Sequence, residues 1–134
     1  MKRLSTFFAL ILAATSLTAT AGDVVTGQYE YMNACATCHG ENGRGGGELA
    51  QAFGVDVPDL TTMNLENDGE FPFLDTLMMI DGRTGIREHG GAMPVWGDRF
   101  EAAALEQVGV YGAELVVRGR LLSLVLYLET IQQD

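Results

Sequence analysis

The pentapeptide Cys35-Ala36-Thr37-Cys38-His39 decides how the rest of the chain is interpreted. Its two thiols lie one helical turn apart, and the histidine follows the second thiol directly. This C-x-x-C-H pattern is the attachment signal of a c-type haem, in which each thiol forms a thioether with one haem vinyl group. The adjacent imidazole can then bind the iron as its proximal ligand. The motif therefore predicts one covalent haem c held by Cys35, Cys38 and His39.

Other uses of a cysteine pair fit the sequence less well. A disulfide between Cys35 and Cys38 would close a very short loop and would constrain little of the unfolded chain. A thiol–disulfide catalyst is expected beside a βαβ pattern, and the sequence shows no convincing strand periodicity. A zinc site needs further Cys or His ligands, whereas the chain has two cysteines and a single other histidine, His89.

The N-terminus has the composition of a secretory signal peptide. A positively charged start precedes the short apolar run 7–14, and small residues lead up to Ala21. Cleavage after Ala21 makes residues 1–21 the leader and residues 22–134 one domain, exported to the periplasm. A retained membrane anchor is the alternative, although the run is shorter than the roughly 20 residues that span a bilayer. No later stretch is apolar enough to insert, so we expect no stable membrane insertion.

The chain is strongly acidic, with 18 Asp and Glu residues against 8 Lys and Arg residues and a formal net charge of −10. Two of the basic residues fall within the leader, so the exported domain keeps 6 of them and carries a net charge of −12. Such an excess opposes binding to nucleic acid or to anionic lipid headgroups. It favours a redox partner with a basic patch, although solubility alone would also explain it.

Helical periodicity predicts an all-α fold around the motif. Thr26 is a candidate N-cap for the helix that carries Cys35. Pro72 is suited to the first position of a later helix, and Gly82 ends it. The loops between the helices are long, which is explained if they wrap around a bound cofactor. The predicted helices cover residues 26–35, 47–53, 72–82, 98–107 and 113–132.

The second axial ligand of the iron is the next question. Met93 is the strongest candidate because it lies in the glycine-rich stretch 90–97, where small residues let the backbone approach a flat ring. Pro94 holds Met93 in an extended conformation. His89 is either a rival ligand or a loop histidine bonded to backbone, Met63 is a further candidate, and an open five-coordinate iron is a third option. The other methionines fit a core role or precede the motif on its own helix: Met32, Met78 and Met79.

The assembled residues resemble the class I cytochrome c family. Gly27 and Tyr31 occupy the positions at which its first helix carries a glycine and an aromatic residue before the first haem cysteine. The last helix carries the family's leucine, aromatic and aliphatic residues, at Leu124, Tyr127 and Leu128. The resemblance covers about residues 24–132. It implies N- and C-terminal helices that cross, with long loops wrapped around one haem.

The resemblance also bears on the surroundings of the haem. The family's Met-Pro ligand loop falls on Met93. A proline carbonyl that follows the ligand histidine often accepts its Nδ1 proton, but here the next proline is Pro58, nineteen residues after His39. That spacing leaves the hydrogen-bond partner of His39 open. Arg83 and Trp96 are candidate donors to the haem propionates; the alternatives are a solvated charge and a core residue, respectively.

The function that this resemblance implies is one-electron transfer in a respiratory or redox chain, not enzymatic catalysis. The sequence contains no catalytic nucleophile, acid–base pair or substrate pocket that we can defend. Two alternatives remain open at this point. The chain could be a haem subunit bound to a periplasmic dehydrogenase or oxidoreductase, or a gas-binding haem sensor with an open iron. Residues 98–112 have no evident counterpart in the family.

Overall fold

The computed structural model describes residues 18–85 and 93–133, with side chains from residue 23 onward. These ranges contain helices and turns without a strand, so the predicted all-α fold is confirmed. The candidate ligand His89 and most of the predicted leader 1–21 lie outside the described residues. The helices are α1 (Thr18–Ala34), α2 (Ala36–His39), α3 (Glu48–Phe53), α4 (Phe73–Asp81) and α5 (Trp96–Thr130).

The crossing of α1 and α5 is the largest contact between helices and forms the core. Gly27 allows it, because a Cβ at this position would overlap the backbone carbonyl of Ser123 and come within 2.8 Å of the Tyr127 Cβ. Next to this contact the rings of Tyr31 and Tyr127 lie 5.3 Å apart, tilted by 47°. The predicted crossing of the terminal helices is therefore present. The side chains that complete the core from α5 are apolar and buried: Val117, Leu121, Leu124, Val125 and Leu128.

A bidentate ion pair also joins α1 to α5. Arg120 donates from Nε to Glu30 Oε1 at 2.9 Å and from Nη2 to Glu30 Oε2 at 2.6 Å. Glu30 is buried, and the guanidinium of Arg120 lies 3.9 Å from the centroid of the Phe100 ring. A buried carboxylate is tolerated when it is paired in this way, and it would carry a large desolvation cost if its partner were removed.

Two helix boundaries differ from those predicted. Helix α1 already includes Thr18, so Thr26 lies inside the helix and is not its N-cap. The two helices predicted over 98–107 and 113–132 form one element, α5, with a break at Gly109, where φ is 69° and ψ is 179°. The segment of α5 before the break begins at Trp96, and the segment after the break crosses α1.

The length and hydropathy of the described helices bear on the expected absence of membrane insertion. Within the described part of the chain, no helix combines the length and the apolar character that a bilayer crossing needs. The leader and its cleavage after Ala21 stay predictions.

Candidate functional site

The C-x-x-C-H motif occupies the junction of α1 and α2. The amide of Cys35 donates to the Tyr31 carbonyl at 2.8 Å, and the amide of His39 donates to the Cys35 carbonyl at 2.9 Å. Helical hydrogen bonding therefore runs through the motif, and Cys35 and His39 share one face. Both are buried, whereas Cys38 is half-buried. The short-range spacing of the motif thus presents a thiol and an imidazole to the same side.

The glycine-rich turn that follows the motif folds back over it. The amide of Gly45 donates to the His39 carbonyl at 2.8 Å, and the amide of Gly47 donates to the Cys38 carbonyl at 3.0 Å. From the other side, the Tyr31 hydroxyl donates to the Gly40 carbonyl at 2.5 Å. These bonds fix the backbone of the motif between α1 and the turn.

Two cavities meet at the motif. Their volumes are about 680 Å³ and about 380 Å³, and the larger lies within the range of small-molecule sites, roughly 300–1,000 Å³. The residues that line both cavities are Cys35, His39, Pro58 and Met93. The two predicted iron ligands, far apart in sequence, thus border the same space.

The wall of the larger cavity is apolar and open to solvent. Helix α3 and the turn after it contribute Leu49, Phe53 and Val55, all of them exposed, and 73% of Phe53 is accessible. Trp96 completes this wall, and its ring lies 5.6 Å from that of Phe100. Exposed apolar side chains gathered in a groove mark a binding site for an apolar ligand.

The smaller cavity contains other sulfur atoms. Met63 and Met79 line it together with Met93. The hydroxyl of Thr76 lies 3.9 Å from the Met63 sulfur, in position to donate a weak hydrogen bond. Met93 borders both cavities, whereas Met63 borders the smaller one.

The thiols do not have the properties of a redox catalyst. Cys35 and Cys38 are free, with no disulfide between them. Burial raises the pKa of the Cys35 thiol to about 12, and the charges of Cys38 and Glu30 act in the same direction, whereas a reactive thiol needs a lowered pKa. Zinc is equally unsupported, because residues 18–85 and 93–133 contain no group of three or more potential metal-binding His, Cys, Asp or Glu side chains.

Comparison with known proteins agrees with the geometry. The family model described as cytochrome C oxidase, cbb3-type, subunit III matches residues 22–111, well over half of the chain. The chain belongs to this cbb3-type subunit III family. Its membership confirms the resemblance to c-type cytochromes and identifies the chain as a haem c domain of the electron-transfer kind.

Two curated proteins are similar to this cytochrome domain. The cbb3-type cytochrome c oxidase subunit CcoP of Azospirillum brasilense is 32% identical over 101 residues, which are 75% of this chain and 31% of that protein. The protein of the same description from Azospirillum sp. (strain B510) is 31% identical over 101 residues, with the same coverage. The chain therefore spans about a third of the length of these relatives. No solved structure matches.

The residues at the two cavities fit the haem c of this cytochrome family. The larger cavity is bordered by two free thiols, by the imidazole of His39 and by the thioether of Met93. These are the donors that covalent attachment and His/Met ligation require. The apolar walls suit the faces of a flat ring, and the open side of the cavity leaves room for a solvent-facing edge.

The two predicted propionate donors lie in different places in this cytochrome. Trp96 lines the larger cavity. Arg83 lines neither cavity, and its guanidinium is engaged by carboxylates: Nε donates to Asp81 Oδ1 at 2.5 Å and Nη1 to Glu114 Oε2 at 2.8 Å. These hydrogen bonds raise the pKa of Arg83. Arg83 is therefore not a solvated charge, and its contact with a haem propionate stays a prediction.

Sequence reasoning missed three residues of this site. Arg99 lines the larger cavity, with its guanidinium 5.3 Å from the centre of the Trp96 ring, and is the cation that the described lining supplies. Phe53 forms part of the wall. Pro58 borders both cavities beside His39 despite its unusual spacing. Of the three, only Arg99 could have been found from the sequence, because it follows Trp96 by one helical turn and therefore lies on the same side of the helix.

Proposed function

We propose that this protein is exported to the periplasm, carries one haem c on Cys35 and Cys38, and acts as a one-electron carrier with His39 and Met93 as axial ligands. The observation that supports this function best is that Cys35, His39 and Met93 border both cavities. A thioether and an imidazole on opposite faces of one ring would leave no open position for a gas. The proposed ligand set and the gas-sensor alternative therefore exclude each other.

The protein's own side chains would control the environment of the redox centre. A bound haem supplies a one-electron iron couple. The backbone hydrogen bonds of the motif hold the main chain of His39 in place and would limit its movement between the two oxidation states. Leu49, Phe53 and Trp96 line the larger cavity and would cover part of a haem bound there. An apolar surround and a methionine ligand both raise the reduction potential.

An acidic surface would guide the redox partner. Asp56 belongs to the wall of the larger cavity, and Glu48 lies in the first turn of the neighbouring helix α3; both are exposed. Together with the net charge of the chain, these carboxylates favour a partner that presents a basic patch around its own redox centre. Contacts of this kind are small and short-lived, as electron transfer requires.

A second function is favoured by one observation. The similar Azospirillum proteins are named as oxidase subunits, so the chain could deliver electrons as a haem c component of such a complex. A free carrier would elute as a monomer and reduce several acceptors. A bound subunit would elute with its complex after mild detergent extraction, and it would not reduce acceptors outside that complex.

The proposed ligand set is tested on protein matured in an oxidising compartment. Covalent attachment predicts a c-type pyridine haemochrome spectrum and a pigment that stays with the protein in acidified acetone. Ligation by Met93 predicts the weak far-red absorption band of a methionine–iron(III) bond in wild type and its loss in Met93→Ala. Met63→Ala is the matched control and should keep the band. Colourless protein would refute haem binding, and a wild-type spectrum without the band would refute Met93.

A further inference from the structure

A cluster of ion pairs lies beside the segment that carries Met93. The guanidinium of Arg83 contacts both carboxylate oxygens of Asp81, through Nε at 2.5 Å and Nη2 at 3.2 Å. Its Nη1 donates to Glu114 at 2.8 Å, so the cluster joins the end of α4 to the middle of α5. The side chains of Arg83 and Asp81 are only 23% and 15% exposed, so solvent screens this pair less than a surface ion pair.

The backbone that follows Met93 packs directly on this ion-pair cluster. Gly97 is buried, and a Cβ there would overlap the Asp81 carboxylate and reach within 2.5 Å of the Arg83 Nε. A Cβ at Gly82 would likewise lie 3.4 Å from Val95. The end of α4 is therefore in contact with the residues that lie two and four positions after Met93. The same short segment places Met93 and Trp96 in the larger cavity.

We propose that Arg83 is a positioning residue for the axial ligand Met93. Its ion pairs with Asp81 and Glu114 hold the Gly97 backbone against the end of α4, and this anchor keeps the sulfur of Met93 at the iron. The planar guanidinium suits the task because it makes a bidentate contact with Asp81 while it donates to Glu114; a lysine ammonium does not reproduce this planar fork. This inference rests on the proposed function in one respect, namely that Met93 ligates the iron.

The test measures how readily Met93 leaves the iron of the ferric holoprotein. Imidazole is the probe, since it binds only after the methionine dissociates. The sequence has one lysine, Lys2 in the leader, so no lysine amine of the exported domain competes. Arg83→Gln and Asp81→Asn should each bind imidazole about tenfold faster than wild type, as expected for the loss of charge-assisted hydrogen bonds. Arg83→Lys should fall in between and also serves if Arg83→Gln fails to fold.

The reduction potential distinguishes a positioning role of Arg83 from a purely electrostatic effect of its charge. Arg83→Gln removes a positive charge and Asp81→Asn removes a negative charge, so a through-space field would shift the potential in opposite directions. Weakened methionine ligation lowers the potential in both variants. Two controls complete the set. Arg118→Gln removes the other, exposed partner of Glu114, and Val125→Ala weakens the core without touching either cavity; neither should accelerate imidazole binding.

The outcomes divide cleanly. Faster imidazole binding and lower potentials in both variants of the ion-pair cluster, with unchanged controls, support the role of Arg83. Wild-type rates in Arg83→Gln and Asp81→Asn, or equal acceleration in Val125→Ala, overturn it while leaving Met93 as the ligand. A wild-type protein without the far-red band overturns the ligand assignment itself and this proposal with it.

Discussion

Replacing Gly27 by alanine tests the helix crossing on which the whole domain is built. Two effects oppose each other. Alanine favours the helical backbone over glycine by about 1 kcal/mol. Its Cβ, however, would overlap the Ser123 carbonyl oxygen and lie 2.6 Å from the carbonyl carbon, whereas ordinary contact begins at 3.4 Å. The oxygen is the nearer of the two atoms, so helix α1 must move by more than about 1 Å away from α5 at this point.

The steric effect should win. Overpacking a close-packed core costs about 1–3 kcal/mol, and here the obstacle is backbone, which cannot rotate aside as a side chain can. Because of this rigid obstacle we take the upper end of that range, about 3 kcal/mol; subtracting about 1 kcal/mol of helix propensity leaves a net destabilisation of about 2 kcal/mol for Gly27→Ala. Gly119→Ala is the matched control, because Gly119 is exposed on α5 and a Cβ there meets nothing within 4 Å. That variant should be stabilised by about 0.5–1 kcal/mol.

The assay is guanidinium unfolding of the ferric holoprotein, followed by far-ultraviolet circular dichroism. The two glycine variants are expected on opposite sides of wild type. If Gly27→Ala were as stable as Gly119→Ala, the contact between α1 and α5 would be looser than the structure indicates. If both variants were destabilised, the effect would not come from the crossing, and the steric reasoning would fail.

Three further predictions concern Arg120, Phe53 and Glu114. Arg120→Gln should lower the free energy of unfolding by about 3 kcal/mol, because buried Glu30 loses its partner; Glu30→Gln with Arg120→Gln should recover part of this in the same denaturant titration. Phe53→Ala should admit water to the larger cavity and lower the reduction potential, measured by potentiometric titration, without loss of the far-red band. Hydrogen bonds from Arg83 and Arg118 hold the pKa of the Glu114 carboxyl below its usual range. The ionised Glu114 carboxylate therefore stabilises the fold fully above the ordinary glutamate pKa of about 4.3, and this contribution is lost as the pH falls below that value. In Glu114→Gln the free energy of unfolding, measured by denaturant titration, should fall less steeply in acid.

The parts of the site that follow from local chain geometry were predictable. The thiol and imidazole of the motif share a helical turn, and that relation needs only the spacing between Cys35 and His39. The position of Met93 at the cavities was predictable because a methionine before a proline, among glycines, has few conformations and little side-chain bulk around it. The crossing of α1 and α5 was predictable from the resemblance, through Gly27 and Tyr127, whose contact the structure contains.

The remainder depends on contacts between distant parts of the chain. The sequence left Arg83 as either a propionate donor or a solvated charge, because its partner Glu114 lies 31 residues away and no local pattern connects the two. The unusual spacing of Pro58 left its role open in the sequence, yet in the structure it lines the same two cavities as His39. The start of α1 was placed at Thr26 because a good capping residue is a local signal, whereas continued helix formation before it overrides that preference.

The helices differ in how many other helices they pack against, and α3, which lines the larger cavity, has few such neighbours. Helices α1 and α5 pack directly on each other, and α4 packs on α5. Among the described helices, α3 packs on α2 alone, although it carries Leu49 and Phe53 of the larger cavity. Elements with few packed neighbours open most easily. The crossing of α1 and α5 therefore maintains the fold through protein contacts, whereas a haem bound in the larger cavity would give α3 contacts that the other helices do not supply.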